Sequence, residues 1–166
     1  MTARLVLLCG LPGSGKSTLA ARLAVDLPAI QLSPDDWMAE LAFDLWDEAA
    51  RDRIEGLSWH LAQDLLGSGQ SVILESGFWL RSDRDEKRIG ARALGVRVEL
   101  RYLQASVDEL VRRLEARSRE GPPATVPITR ADLEGWLASF EPPDAAEMAL
   151  FDPPIAAQAD VLSPPP

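Results

Sequence analysis

Gly10-Leu11-Pro12-Gly13-Ser14-Gly15-Lys16-Ser17-Thr18 fits the pattern G-x-x-x-x-G-K-[ST] in full, and its flanks suit it. The run before it, Leu5-Val6-Leu7-Leu8-Cys9, is short, apolar and unbroken, as a strand buried on both faces should be. After it Leu19, Leu23 and Leu27 share one helix face, and Pro28 marks the end. The residue types answer a physical demand. Gly10, Gly13 and Gly15 let backbone N–H groups turn inward around a polyphosphate, and a helix starting near Lys16 points its positive end at the same anion. Ser14 lies inside the loop, Lys16 reaches for the β- and γ-phosphates, Ser17 is placed to ligate Mg²⁺ through its hydroxyl, and Thr18 completes the motif. A chance lysine after a glycine-rich turn would not come with a strand before and a helix after. The stretch predicts a site for ATP or GTP with Mg²⁺.

The rest of the composition narrows the class. At 166 residues the chain is long enough for one domain with a proper core. Its 17 Lys+Arg against 26 Asp+Glu give a net charge of −9, which argues against a broad nucleic-acid or anionic-membrane surface. Cys9 is the single cysteine, so no internal disulfide can form. No stretch reads as a signal peptide or a membrane span, and the expectation is a cytoplasmic protein.

Elements alternate along the chain, as in a parallel sheet flanked by helices. Ala29–Leu32 is a short second strand running into a helix start, with Ser33 as N-cap and Pro34 at the first helical position. A helical, aromatic-rich pattern follows from Trp37 to Leu66, with a break expected near Asp47 or Gly56. The third strand is Ser71–Glu75. Ser82 then opens a charged helix with Asp85 three residues later, and Gly95 closes it. The fourth strand, Val96–Leu103, alternates and reads as half exposed. Ser106 caps the next helix, a loop spans residues 121–128, and Thr129 caps a last helix bearing Leu133, Trp136, Leu137 and Phe140. From Glu141 the chain is proline-rich. No fifth strand is visible in it, and the tail is expected to drape over the surface or lack order.

Ligands in open parallel sheets collect at the carboxyl ends of the strands. Asp35, just after strand two, is there to face a γ-phosphate and take the proton of an acceptor hydroxyl. Its neighbour Asp36 stands three after Ser33, so it either closes a capping box or touches substrate. Glu75 ends strand three, where a carboxylate holds Mg²⁺ through water or a substrate hydroxyl, or else caps the turn to Gly77. Arg117 and Arg119 stand on the helix leading into the loop at 121–128, while Arg112 and Arg113 read as surface residues beside Glu115 and Glu120. Arg81 and Arg84 flank a helix start past strand three, there to hold an anionic group of an acceptor or to pair with Asp83, Asp85 and Glu86. Trp37, Trp46 and Trp79 either line an acceptor pocket or pack in the core. His60, alone in an apolar helical pattern, reads as packing.

These pieces together resemble a P-loop kinase family that includes polynucleotide 5′-kinases, chloramphenicol phosphotransferase and zeta-toxin-type sugar-nucleotide kinases. Its bacterial members are often labelled only as AAA-type ATP-binding proteins. The resemblance rests on Gly10–Thr18, the Ser33-Pro34-Asp35 turn, Val72–Glu75, the Arg117/Arg119 segment and the helix ending Phe140-Glu141-Pro142-Pro143. It implies a three-layer α/β/α P-loop kinase-like domain over residues 1–143, with a short parallel sheet in the order 2-3-1-4. A fifth strand is usual in such sheets. It further implies a helical lid at about 117–130 and leaves 144–166 as tail. Asp35 becomes the acceptor-activating base, and Arg117 or Arg119 the lid arginine. Two departures bear on the acceptor and leave the ATP site intact: Met38 stands where many relatives carry an arginine, and Glu75 where aspartate is frequent.

Three functions compete. The first is an ATP-dependent kinase acting on a hydroxyl of a small molecule. The second, a polynucleotide or nucleotide 5′-kinase, is disfavoured by the acid excess and by Met38. The third is a nucleotide-binding or hydrolysing regulator with no acceptor, which would have no need of a base at Asp35.

Overall fold

The computed structural model describes residues 3–120 and 127–154. Among them four strands, β1 (Arg4–Cys9), β2 (Ala29–Leu32), β3 (Ser71–Gly77) and β4 (Arg97–Tyr102), form one parallel sheet in the order β2-β3-β1-β4. The central strand β1 is buried along its whole length. Its side chains alternate between two apolar layers. Val6 and Leu8, with Ile73 of β3, pack on Ala20, Leu23 and Leu27, from helix α1 (Lys16–Asp26) and the turn after it. Leu5, Leu7 and Cys9 face the opposite layer with Val72, Leu74, Val98 and Leu100. That layer receives Trp59, Ala62 and Leu66 of α3 (Glu48–Gly67), Ala91 of α4 (Arg81–Ala93), Leu110 and Leu114 of α5 (Val107–Glu120) and Leu133 of α6 (Arg130–Ser139). The fold is the three-layer α/β/α arrangement with the expected strand order.

Between β2 and α3 lies the short α2 (Pro34–Glu40). Of the two expected breaks, the one at Asp47 is real: its side chain accepts from the Ala50 N–H at 2.9 Å and starts α3, whereas Gly56 lies inside that helix. Ser106 and Thr129 cap as expected, the latter in a reciprocal box with Asp132. Two local expectations change. Helix α4 begins at Arg81 rather than Ser82, and its start is capped by a distant residue: the Glu141 carboxylate accepts from the Arg81 N–H at 2.8 Å. In β4 the alternation holds, but Glu99 on the polar side is buried against Arg4 instead of facing water.

Residues 144–154 differ most from expectation. They form α7 (Ala145–Met148) and an extended segment fastened to the domain. Phe151 enters the main core, the Asp152 N–H donates to the Val98 carbonyl at 2.8 Å, and the Asp152 carboxylate accepts from the Val98 N–H at 2.8 Å. No fifth strand occurs among the described residues. Part of the expected lid, residues 121–126, and the tail beyond residue 154 lie outside the described residues. No helix among the described residues is long and apolar enough to cross a membrane.

Candidate functional site

The phosphate loop leaves β1 and is closed from below. A Cβ at Gly10 would stand 2.6 Å from Ser14 Oγ and 2.9 Å from the Leu103 carbonyl, so only glycine fits there. Gly15 takes a left-handed conformation with φ 98° as the N-cap of α1, and the first turn of that helix holds no acidic residue. The first N–H groups of α1 therefore open onto the concave side of the loop, where an anion is favoured by both hydrogen bonding and the helix dipole. Lys16 bends back over the loop, its Nζ donating to the carbonyls of Gly10 and Leu11, each at 3.0 Å. Burial lowers its pKa, and the charges of Asp35 and then Glu75 oppose that shift.

The carboxyl ends of β1, β2 and β3 bring Ser17, Gln31 and Glu75 together, of which Ser17 and Glu75 were expected. Glu75 is only 5% exposed. It accepts a hydrogen bond from Gln31 on β2, and burial pushes its carboxyl upward against the pull of the nearby Ser17 hydroxyl and of Gln31. A hydroxyl and a buried carboxylate near one another are the hard oxygen donors that Mg²⁺ takes, its remaining positions being filled by waters and phosphate oxygens. The residues present fit that ion. Thr18 is exposed on the first turn of α1.

Asp35 and Asp36 occupy the first turn of α2, both exposed. Ser33 makes no side-chain cap with Asp36, so the expected capping box is not formed. Asp35 is ion-paired with Arg51 of α3, whose other terminal nitrogen donates to the Leu45 carbonyl at 2.7 Å. Met38, one turn beyond Asp35, is fully buried with Ala50 and Ile54. The guanidinium that meets Asp35 thus comes from α3, not from α2. Arg51 was not legible as a site residue, because its partner lies across a loop whose path the sequence does not display.

The arginines separate. Arg117 is exposed on the last turn of α5, near enough to Lys16 for its charge to be felt there. Arg119 points along the surface with Nη2 3.7 Å from Glu115. Arg113, read as a surface residue, lies on the phosphate loop, its Nη1 donating to the Ser14 carbonyl at 3.2 Å and near that of Gly13 at 3.4 Å. The signal for it was present: Arg113 and Arg117 are four apart and share a helix face. Arg81 is exposed beside Asp85 at 3.6 Å.

Arg84 is the clear correction. It is fully buried and holds no acceptor; Nε and Nη2 fork onto Glu147 of α7, and Nη1 donates to the Phe78 carbonyl at 2.8 Å. The reason lies in the turn after β3. Gly77 and Phe78 both take positive φ, 75° and 48°, a costly conformation for phenylalanine that needs support from around it. Arg84 supplies that support from beneath, and the Glu141 N–H adds a bond of 2.9 Å to the Trp79 carbonyl. Cys9 is an inert buried thiol, pushed up to about 11 by burial, and His60 lies exposed on α3.

Comparison with known proteins agrees with this fold. Residues 5–143 match the AAA_33 family, described as an AAA domain. A protein described as a kinase from Chloroflexus aurantiacus j-10-fl is similar in structure, with 29% identity, a TM-score of 0.66, and coverage of 84% of this chain and 80% of that one. A gluconokinase from Sinorhizobium meliloti 1021 shares the fold at 19% identity and a TM-score of 0.61, over 87% of this chain and 78% of its own. A chain of the Pnkp1/Rnl/Hen1 RNA repair complex does so at 22% identity and a TM-score of 0.71, over 91% of this chain. The present chain spans about half of that partner's length, 47%. With the phosphate loop, the strand order and a family match across most of its length, this chain belongs to the AAA_33 family of P-loop kinase-type proteins.

Proposed function

We propose that the chain is an ATP-dependent phosphotransferase that moves the γ-phosphoryl group to a hydroxyl of a small molecule. One observation carries the reading: Asp35 stands exposed in the first turn of α2, just past the carboxyl end of β2, where its charge supports the Lys16 ammonium and a carboxylate is suited to face a γ-phosphate. A regulator has no use for an accessible carboxylate there. In the reaction the acceptor oxygen attacks the γ-phosphorus and its proton passes to Asp35. The bond from that phosphorus to the β–γ bridging oxygen breaks, and ADP leaves. Lys16 and the α1 N-terminus stabilise the charge spread over the phosphate oxygens. Arg117, in the last turn of α5 and within electrostatic reach of Lys16, would add to them. Ser17 and Glu75 would hold Mg²⁺, which would supply further neutralisation of the phosphate charge.

Several features support this reading over a polynucleotide 5′-kinase. The net charge is −9, and the first turn of α2 carries two exposed carboxylates, Asp35 and Asp36. The test is an ATP-consumption screen with Mg²⁺ against hydroxylated antibiotics, sugars, nucleosides and 5′-hydroxyl oligonucleotides. Phosphorylation of one of the first three classes is the expected result; phosphorylation of the oligonucleotides alone would overturn the small-molecule assignment.

A further inference from the structure

Three indoles form a continuous wall beside the phosphate loop. Trp79 follows the strained Gly77–Phe78 turn and lies close against the start of the loop: a Cβ at Gly77 would stand 3.0 Å from its Nε1 and 3.3 Å from the Gly10 carbonyl. Trp136 of α6 packs on Trp79 with ring centroids 5.7 Å apart, and Trp46, in the segment between α2 and α3, packs on Trp136 at 5.4 Å. Rings held together for the core alone would be covered. Trp46 is instead 42% exposed, and Trp79 and Trp136 are half-buried. The same segment returns to the base. Leu45, next to Trp46, accepts from Arg51, and Arg51 is paired with Asp35. The wall and Asp35 are thus linked through one segment, and the space between them is the candidate subsite.

The charges around that space have one sign in excess. Asp35 and Asp36 stand in the first turn of α2, and Asp83 stands in the first turn of α4, four residues after Trp79. On the cationic side Arg51 is engaged by Asp35, Arg84 is buried on Glu147, Arg81 lies beside Asp85, and Lys16 and Arg117 are the cations left to the phosphates. An anionic group on the acceptor would meet repulsion here. An ammonium would be drawn by the carboxylates and by the negative faces of the indoles.

We propose that Trp46, Trp79 and Trp136 are the acceptor subsite, and that it takes an amine-bearing alcohol whose flat or apolar portion lies on the indoles while its hydroxyl reaches Asp35. The inference rests on the phosphotransferase reading and narrows its substrate class. Three probes with the same ring test it: phenylalaninol, its uncharged N-acetyl derivative, and anionic 3-phenyllactate. Binding of each is measured by ligand-observed NMR on the full chain loaded with ADP and Mg²⁺, with ADP affinity measured separately by calorimetry. Phenylalaninol should bind about tenfold or more tighter than phenyllactate, and Trp46→Ala should weaken it by about tenfold with ADP affinity unchanged. Because Trp46 is exposed, that variant keeps its fold; Trp136→Phe should retain most of the binding. Phenyllactate binding as tightly as phenylalaninol, or Trp46→Ala without effect, would overturn the proposal. So would ADP binding with no response to any probe, and that result would leave the phosphotransferase reading standing. Loss of nucleotide binding by the wild type would remove both.

Discussion

Arg84 and Glu147 form a buried fork, with Nε 2.5 Å from Oε1 and Nη2 2.9 Å from Oε2, that ties the turn after β3 to helix α7. The pair carries a functional burden at one remove. Arg84 also holds the Phe78 carbonyl, and through it the turn that sets Trp79 against the phosphate loop. The segment from 144 to 154 is thus part of what shapes the site.

Removing one partner of such a pair leaves an uncompensated buried charge. Glu147→Ala should cost about 3–5 kcal/mol of stability, read as a drop in the urea midpoint. Glu141→Ala, which removes only the cap on α4, should cost about 0.5–2 kcal/mol. Equal losses would mean that α7 is dispensable to the turn.

Glu55 predicts a pH dependence. Burial pushes its carboxyl up to about 7, with Arg51 opposing and Asp35, Asp52 and Asp83 adding to the rise. A carboxyl raised on folding contributes stability that is fully present below its ordinary value, 4.5, and is lost as pH rises through about 7. Glu55→Gln should match the wild type near pH 4.5 and exceed it above pH 7, by on the order of 1–3 kcal/mol. Thermal unfolding from pH 4.5 to 8.5 checks this; a constant difference across that range would contradict it.

Much of this architecture was legible beforehand. The phosphate loop has a demanding pattern, and β1 reads as a strand because its apolar run must face two layers at once. Asp35, Glu75 and Ser17 could be placed because the carboxyl ends of parallel strands converge. What escaped was set by tertiary pairing. Glu147 looks like any surface glutamate in a proline-rich stretch, so neither its burial nor the withdrawal of Arg84 could be foreseen. Arg51 meets Asp35 only because the 41–47 segment folds back. Arg113 was a different miss, since its spacing from Arg117 already put both on one face.

Lys16 should be indispensable to productive nucleotide binding. Lys16→Ala removes the ammonium that lies on the loop carbonyls and would meet the β- and γ-phosphates. Calorimetry with Mg²⁺ and ATP should show weakened binding or binding without turnover. Unchanged turnover would contradict the assignment of the loop.

The two faces of α5 should differ in kinetics. Arg117→Ala should lower turnover by about 10²–10³-fold with a smaller effect on ATP binding, as for loss of a group that stabilises transition-state charge. Arg113→Ala should loosen the loop and raise the KM for ATP. Arg119→Ala, whose residue pairs with Glu115 at the surface, should behave as wild type. A loss at Arg119 equal to that at Arg117 would contradict the separation of their roles.

The most direct test of the account is the Asp35→Asn variant, assayed for phosphoryl transfer by mass spectrometry of the acceptor and for ATP binding by calorimetry. The substitution keeps size and removes the base. Transfer should fall by about 10²–10⁴-fold, the usual worth of a positioned general base, with ATP affinity nearly unchanged. Asp36→Asn should have little effect on transfer. Wild-type transfer by Asp35→Asn, or ATP hydrolysis by the wild type with no acceptor phosphorylated, would contradict the account and favour a nucleotide-hydrolysing regulator.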